Sequence, residues 1–451
     1  MAIAATIEWE ARTTGTASNA NSGGFKPGAS GTDYSQQDAA QYNLTLVTTA
    51  GADAVLLSAS AAAVMVGNLA HIISGTNFTA GWYEIISVSV GVSITLDRTC
   101  TTAAGAAGVV NIGGALSLGS ADDAVFESME AGNTMHIKAG TYTMGGNVAM
   151  AKNGTEFASI ILRGYNAARN DNPTGANRPT LAFGANTANF GNYVDFGHLI
   201  FTITAANGVE AGTGSITTNC KSTNSSVTAG RDAFSITSAM LIDSEAISTN
   251  GQALTIDTTG NCKINGNYLH DSDYGVSIGA ADGCVISFNI IDTIVTAGIN
   301  AGSVSNDHVI MNNSIYGAAT PAGSSTGINF AATTGIRTLV MNNIISGFVT
   351  GINSAAVVTA NLFRNNDLFN NTTNYTNVTA GTGSITTDPG FTDAPNGNFA
   401  VGANMKAAAF PGAFPGALST GYLDIGAVQR QEPAGGGGLL TNPGMSGGMR
   451  G

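Results

Sequence analysis

Charge is scarce in this chain of 451 residues: only 10% of them are Asp, Glu, Lys or Arg, against roughly 25% in an ordinary soluble domain. The 16 basic residues are outnumbered by 29 acidic ones, for a formal net charge of −13. A nucleic-acid binder needs a basic footprint to displace counterions, so that class is excluded. Cysteine is rare too. Cys100, Cys220, Cys262 and Cys284 form no Cys-x-x-Cys pair, which argues against zinc and for buried free thiols in a chain made in a reducing compartment. No apolar run approaches the ~18 residues of a membrane-spanning helix; the longest candidate is Ala61 to Val66. The N-terminus lacks the basic and apolar regions of a secretory leader. Aromatics are 7% of residues, and the two tryptophans are Trp9 and Trp82, so sugar-stacking platforms are expected to be few. Intrinsic disorder is excluded by an apolar fraction of 43%.

What the chain does have is a repeat. Between about residues 240 and 370 it resembles itself: Ile264-Asn-Gly-Asn-Tyr-Leu, Ile286-Ser-Phe-Asn-Ile-Ile, Ile310-Met-Asn-Asn-Ser-Ile, Val340-Met-Asn-Asn-Ile-Ile and Leu362-Phe-Arg-Asn-Asn-Asp-Leu. The aligned asparagines are Asn267, Asn289, Asn313, Asn343 and Asn366, with gaps of 22, 24, 30 and 23 residues. A glycine marker follows each at Gly275, Gly298, Gly327 and Gly351, in nearly the same phase. Helical repeats need a 3.6-residue period and leucine-rich repeats their Leu series; neither is present. A right-handed parallel β-helix fits, with short strands making one wrap of the backbone per repeat and small or β-branched residues packing inward in columns. An Asn at the corner would occupy the left-handed region and bond its counterpart in the next coil. Cys262 and Cys284 then fall in one column, as stacked core thiols or, alternatively, a disulfide. Extended outward from residue 130 to 400, the pattern allows on the order of 12 coils, a rod ~55 Å long.

Gly132-Asn-Thr-Met-His-Ile-Lys-Ala-Gly-Thr-Tyr resembles the opening coil of pectate-lyase-like right-handed β-helix proteins. Thr387-Asp-Pro-Gly-Phe-Thr-Asp-Ala-Pro-Asn-Gly-Asn-Phe and Asp424-Ile-Gly-Ala-Val-Gln resemble their closing segment, although Met405-Lys-Ala-Ala-Ala-Phe-Pro-Gly stands where Ser-Pro-Ala is usual. The resemblance covers roughly residues 121 to 430. It implies an all-β solenoid and leaves activity open, because such folds carry enzymes and inert scaffolds alike.

The expected organisation is an N-terminal arm over 1–37, a small β-domain over 38–120, the β-helix over 121–400, a closing segment over 401–434 and a Gly-rich tail over 435–451. Asp122-Asp-Ala-Val-Phe-Glu-Ser-Met reads as a short helical stretch that caps the open end of the coils. The arm and the tail read as docking segments, with Trp9, Phe25, Leu439 and Leu440 as docking residues. Val66-Gly-Asn-Leu, Gly75-Thr-Asn-Phe-Thr-Ala-Gly-Trp-Tyr-Glu-Ile and Thr95-Leu-Asp-Arg resemble modules of phage structural proteins.

The chemistry of sugar-active β-helices needs paired carboxylates on one face, or a carboxylate cluster for Ca²⁺ with a base. Gly197-His-Leu departs from the Gly-His-Gly of polygalacturonase-like enzymes, and no Arg-x-Lys is present. The acids on the coils include Asp243, Glu245, Asp257, Asp271, Asp273, Asp282, Asp292 and Asp307; the bases are few. Such a face suits an anionic uronide poorly. The best group is His270-Asp271-Ser-Asp273-Tyr274 with Asp292 one coil on. If these carboxylates share a face, they make a hydrolase or Ca²⁺ site; otherwise they are surface acids of a solvated turn.

These readings together point to a non-enzymatic virion protein made in a host cytoplasm. It would be a capsid decoration or head fibre forming homotrimeric rods and docking through its arms on other virion proteins such as a major capsid protein. No cofactor, metal, nucleic acid or membrane is expected. The alternative is a tailspike-like polysaccharide depolymerase or receptor-binding protein, with Asp271, Asp273 and Asp292 as its candidate site.

Overall fold

A computed structural model describes residues 3–4, 6–16, 20–118, 122–257, 259–302, 306–317, 323, 325–331, 337–357, 362–406, 408–410 and 423–429. The docking residues Leu439 and Leu440, with the Gly-rich tail, lie outside the described residues. The fold is all-β, a parallel β-solenoid of about 9 turns. It divides into two compact units, residues 1–202 and 203–451. The expectation of 12 coils overcounts because the early turns are longer than the 23-residue repeat. Ile161 pairs with Thr134, 27 residues earlier, and Val194 pairs with Ile160, 34 residues earlier.

In the first unit, strands Tyr42–Val47, Thr101–Ile112, Leu69–Phe78, Gly81–Ser89, Ser93–Leu96 and Val55–Leu57 form, in that spatial order, an antiparallel six-stranded sheet. Its alternating apolar residues, among them Leu44, Leu56, Ile72, Ile85, Ile94 and Val110, make one buried cluster. The coil strands Thr134–Lys138, Ile160–Tyr165 and Val194–Gly197 pair in parallel. Inside the turns the core is aromatic: Phe190 meets Phe126, Phe183 and Phe196 edge-on. The expected helical stretch forms a helix over Asp122–Phe126, shorter than read, with Val125 and Phe126 buried.

The arm is where sequence and structure part. Glu8–Thr16 is a strand that pairs in parallel with Thr134–Lys138 and antiparallel with Gly24–Phe25. It covers the open edge of the first coil strand, where unpaired N–H and C=O groups would otherwise face solvent. Trp9 is fully buried and its indole N–H donates to Asn133 Oδ1 at 3.0 Å. Phe25 is buried as well. Both belong to the unit's own core, so the reading of Trp9 and Phe25 as docking residues is corrected.

In the second unit, Met240–Ile242, Lys263–Asn265, Val285–Ser287, Val309–Met311, Leu339–Met341 and Leu362–Arg364 stack in parallel and in register. The longer gap before Asn343 leaves the register intact. Leu241, Ile264, Ile286, Ile310, Val340 and Phe363 form one inward column, all buried. At the corner that follows, the left-handed residues are Gly266, Phe288, Asn312, Asn342 and Asn365, each one position before the ladder asparagine. The ladder residues are therefore not the left-handed ones. The turn ahead of them aims each amide along the stack. Asn267, Asn289, Asn313 and Asn343 each donate a backbone N–H and an Nδ2–H to the Oδ1 of the next, at 2.9–3.0 Å, ending on Asn366.

The glycine markers have a steric cause. A Cβ on Gly275 or Gly298 would lie 2.3 Å from the Cγ2 of Ile291 or Ile315 and 2.6 Å from the carbonyl oxygen of the next marker glycine. The Ile column fills the space that a side chain would need.

Candidate functional site

On the outer face just past the Asn corner, Lys221–Asn224, Glu245–Ser248, Tyr268–Ile278, Ile290–Ala301 and Ser314–Tyr316 lie side by side. Side chains alternate in and out along a strand. Ala246, Leu269, Ile291 and Ile315 point inward and are buried. Register then sets Lys221, Glu245 and Tyr268 in one outer row, and His270, Asp292 and Tyr316 in the next.

These side chains form a connected group. Glu245 Oε1 accepts from Lys221 Nζ at 2.7 Å and lies 3.2 Å from His270 Nε2. His270 Nδ1 is 2.8 Å from Asp271 Oδ2. With a carboxylate at each ring nitrogen, the imidazole is held as a two-donor cation. Burial alone would lower the His270 pKa, but the hydrogen bonds to Glu245 and Asp271 outweigh it and raise it. Burial opposes ionisation of Glu245 as well, yet the bonds from His270 and Lys221 bring it down to about 2. The Tyr268 ring stacks on His270 at 3.9 Å between centroids, 18° from parallel.

The second carboxyl has a different setting. Asp292 is 5% exposed. Its Oδ2 accepts from the Tyr268 hydroxyl at 3.2 Å and its Oδ1 from Thr293 Oγ1 at 3.1 Å. Burial raises its pKa, against the opposing bonds from Thr293 and Tyr268. One wall is supplied by the closing segment. Phe391 and Phe399 pack edge-on against Tyr316, in a cluster with Ile290 and Tyr268.

Of the residues read as candidates, Asp271 and Asp292 come together on this face, and Asp271 keeps a side-chain exposure of 58%. Its backbone is left-handed (φ 50°), as is that of Thr293 one turn on (φ 51°). Asp273 lies past the bend at Ser272, where the pairing register shifts; among the described residues it makes no side-chain bond to the group. Lys221 and Tyr268 were not read as site residues, although Lys221 sits 24 residues, one turn, before Glu245. A second acidic neighbourhood also escaped the reading. Asp232 is raised to about 6 by burial, with Asp257 and Glu210 adding to the shift and Thr255 and Arg231 opposing it. Among the described residues no group of three His, Cys, Asp or Glu side chains is placed to hold a metal ion.

The face thus carries carboxyl groups in different settings: Asp271 reaching solvent, Glu245 held low by His270 and Lys221, and Asp292 shielded, with burial raising its pKa. Such a split suits acid–base work on a glycosidic bond.

No family model matches the sequence, and no curated protein does. Among solved structures the chain is similar to pectate lyase Pel9A, at 14% identity and a TM-score of 0.45 over 70% of this chain and 92% of that one. It is similar to alginate lyase AlyF-OU02, at 14% identity and a TM-score of 0.34 over 60% and 83% of the two chains. A third is the catalytic unit of the GH87 α-1,3-glucanase of Streptomyces thermodiastaticus strain HF3-3, at 12% identity and a TM-score of 0.28 over 77% and 86%. At these identities the likeness is one of fold. The expectation of a chain that is not an enzyme is corrected by this set, whose members are enzymes named for polysaccharides.

Proposed function

We propose that this chain hydrolyses a polysaccharide on the outer face formed by Glu245, Tyr268, His270, Asp271 and Asp292. The observation that carries the reading is the pairing of a buried Asp292, whose pKa burial raises, with the solvent-reaching carboxylate of Asp271, on adjacent turns. Asp292 is the general acid that protonates the leaving oxygen. Burial raises its pKa, and the Tyr268 hydroxyl orients it. Asp271 is the solvent-reaching partner that activates water or stabilises positive charge at the anomeric carbon. Lys221, Glu245 and His270 act as positioning residues that hold Asp271 and Tyr268 in place.

The substrate class follows from charge. The cations within the group, Lys221 and His270, are both engaged by Glu245, so a uronate carboxylate would meet Asp271 without compensation. A neutral, hydroxyl-rich glycan fits this face.

The test is reducing-end release from a panel of neutral polysaccharides, with a polyuronide as control, by the wild type, Asp292→Asn and Asp271→Asn. The expected result is release from a neutral glycan, reduced 10²-fold or more in each variant, in line with the roughly 10²–10⁴-fold of general acid–base catalysis. Release that survives both substitutions, or the appearance of unsaturated ends typical of elimination, overturns the assignment.

A further inference from the structure

The turns that carry His270 and Asp292 each begin with a cysteine. Cys262 precedes the strand Lys263–Asn265 and Cys284 precedes Val285–Ser287. These strands pair in parallel with Lys263 opposite Val285, and the Val285 N–H donates to the Cys262 carbonyl at 2.9 Å. The two cysteines are therefore in-register neighbours. Such neighbours stand about 4.8 Å apart across a sheet, inside the ~4.4–6.8 Å Cα separation that a disulfide accepts. Both are free thiols with no exposure. Cys220 belongs to a different column, where its N–H donates to Ser244 Oγ, and Cys100 sits in the core of the six-stranded sheet.

We propose that Cys262 and Cys284 are a redox pair that closes, by exchange with a small-molecule disulfide such as glutathione disulfide, into a bond clamping the two turns that bear His270 and Asp292.

The order of events follows from the different settings of the two thiols. The Cys284 S–H donates to the Asp282 carbonyl at 3.8 Å; the facing Cys262 thiol, with burial, raises the Cys284 pKa, while the presence of Cys284 lowers that of Cys262 against burial. Cys262 is the attacking thiolate. It displaces one thiolate from the small disulfide and forms a mixed disulfide. Cys284 gives its proton to the departing thiolate and attacks the Cys262 sulfur, releasing the second small thiol. Two protein thiols are oxidised, one small disulfide is reduced to two thiols, and no other reactant enters.

His308, next in the same column, takes no part as a base. Its Nδ1 accepts the Cys284 N–H at 3.3 Å, and burial lowers its pKa, so it stays neutral. Because both sulfurs are sealed from solvent, exchange needs the turns to part or to be still assembling. Closure is therefore expected to be fast during refolding and slow in the folded protein.

This inference does not depend on the hydrolase reading, since the bond forms or fails whatever the face does. The full chain is refolded in a glutathione redox buffer, then denatured and alkylated, and its intact mass and peptide map are read. The expected result is loss of two alkylatable thiols out of four, a cross-linked Cys262–Cys284 peptide, and an upward shift in Tm reversed by reductant. Cys262→Ala and Cys284→Ala should each abolish the cross-link while Cys100 and Cys220 stay alkylatable. Four alkylatable thiols in the wild type, a stable glutathione adduct on Cys262, or a bond to Cys100 or Cys220 would each overturn the proposal. The wild-type map alone decides it if a variant fails to fold.

Discussion

Asn289 Oδ1 accepts two hydrogen bonds from Asn267, from its backbone N–H at 3.0 Å and its Nδ2 at 2.9 Å, while Asn289 Nδ2 donates back to the Ile264 carbonyl at 3.0 Å. One buried amide thus serves the turn on one side, and by the same geometry it is served from Asn313 on the other. Leaving a buried polar group without a partner costs about 1–3 kcal/mol. Asn289→Ala strands the Asn267 N–H and is expected to destabilise the chain by roughly 3 kcal/mol. Asn289→Asp keeps the acceptor but sets a carboxylate oxygen against the Ile264 carbonyl and Asn313 Oδ1 in a buried corner, so it should cost more. Denaturant unfolding of the two variants checks the order.

In the first unit, Glu10 has no exposure and accepts from Arg12 Nε at 2.8 Å, from Arg169 and from the Tyr165 hydroxyl. Arg169 also reaches Glu8 and Ser35. Removing one partner of a buried ion pair leaves a charge uncompensated, at about 3–5 kcal/mol. Arg169→Met is expected to lower the unfolding free energy by about 3 kcal/mol. The double variant Arg169→Met with Glu10→Gln should recover part of that loss. A double-mutant cycle by chemical denaturation measures it.

The repeat was legible because a ladder demands one residue type at one corner, so Asn267, Asn289, Asn313, Asn343 and Asn366 recur without a partner having to be guessed. The strand Glu8–Thr16 was not legible. Trp9 meets Asn133 across 124 residues, and nothing local in an arm of few periodic hydrophobics announces its partner. The site was half legible. His270, Asp271 and Asp292 stand near one another in sequence or one turn apart. Lys221 becomes part of the group only when charges are compared one turn back, and Tyr268 only once its hydroxyl is seen to reach the following turn. The wall beside Tyr316, which pairs with Asp292, comes from Phe391 and Phe399 about a hundred residues later.

The ion pairing of His270 makes stability depend on pH in a direction that can be stated. Its folded pKa lies above the unfolded value, so its contribution is complete below about pH 6.5 and is lost as pH rises through the folded value. His71, His136, His198 and His308 are lowered by burial and contribute with the opposite sign. The readout is therefore the difference in Tm between wild type and His270→Gln. The wild-type advantage should be largest below pH 6.5 and shrink toward pH 9. A difference that grows with pH would contradict the raised His270 pKa argued from its bonds to Glu245 and Asp271.

Asp367 carries the reverse relation. It has no exposure. Its Oδ1 accepts the Thr387 N–H at 3.1 Å, while its Oδ2 is buried without a hydrogen-bond partner. Burial raises its pKa to about 7, with Asp388 adding and the Thr387 bond opposing. Between the unfolded value near pH 4 and about pH 7 the folded state holds a proton that the unfolded chain has released. Stability therefore falls across that window and levels off above it. At roughly 1.4 kcal/mol per pH unit, the fall amounts to about 4 kcal/mol for this one group. Asp367→Asn keeps the acceptor for Thr387 and carries no charge at any pH. Its Tm is expected to match the wild type near pH 4 and exceed it at pH 8, while Asp367→Leu, which strands the Thr387 N–H, should lose at pH 4. Thermal melts of the three proteins across pH 4–8 test the raised pKa, because only a carboxyl whose folded pKa lies above its unfolded value makes the uncharged isostere the more stable protein at high pH.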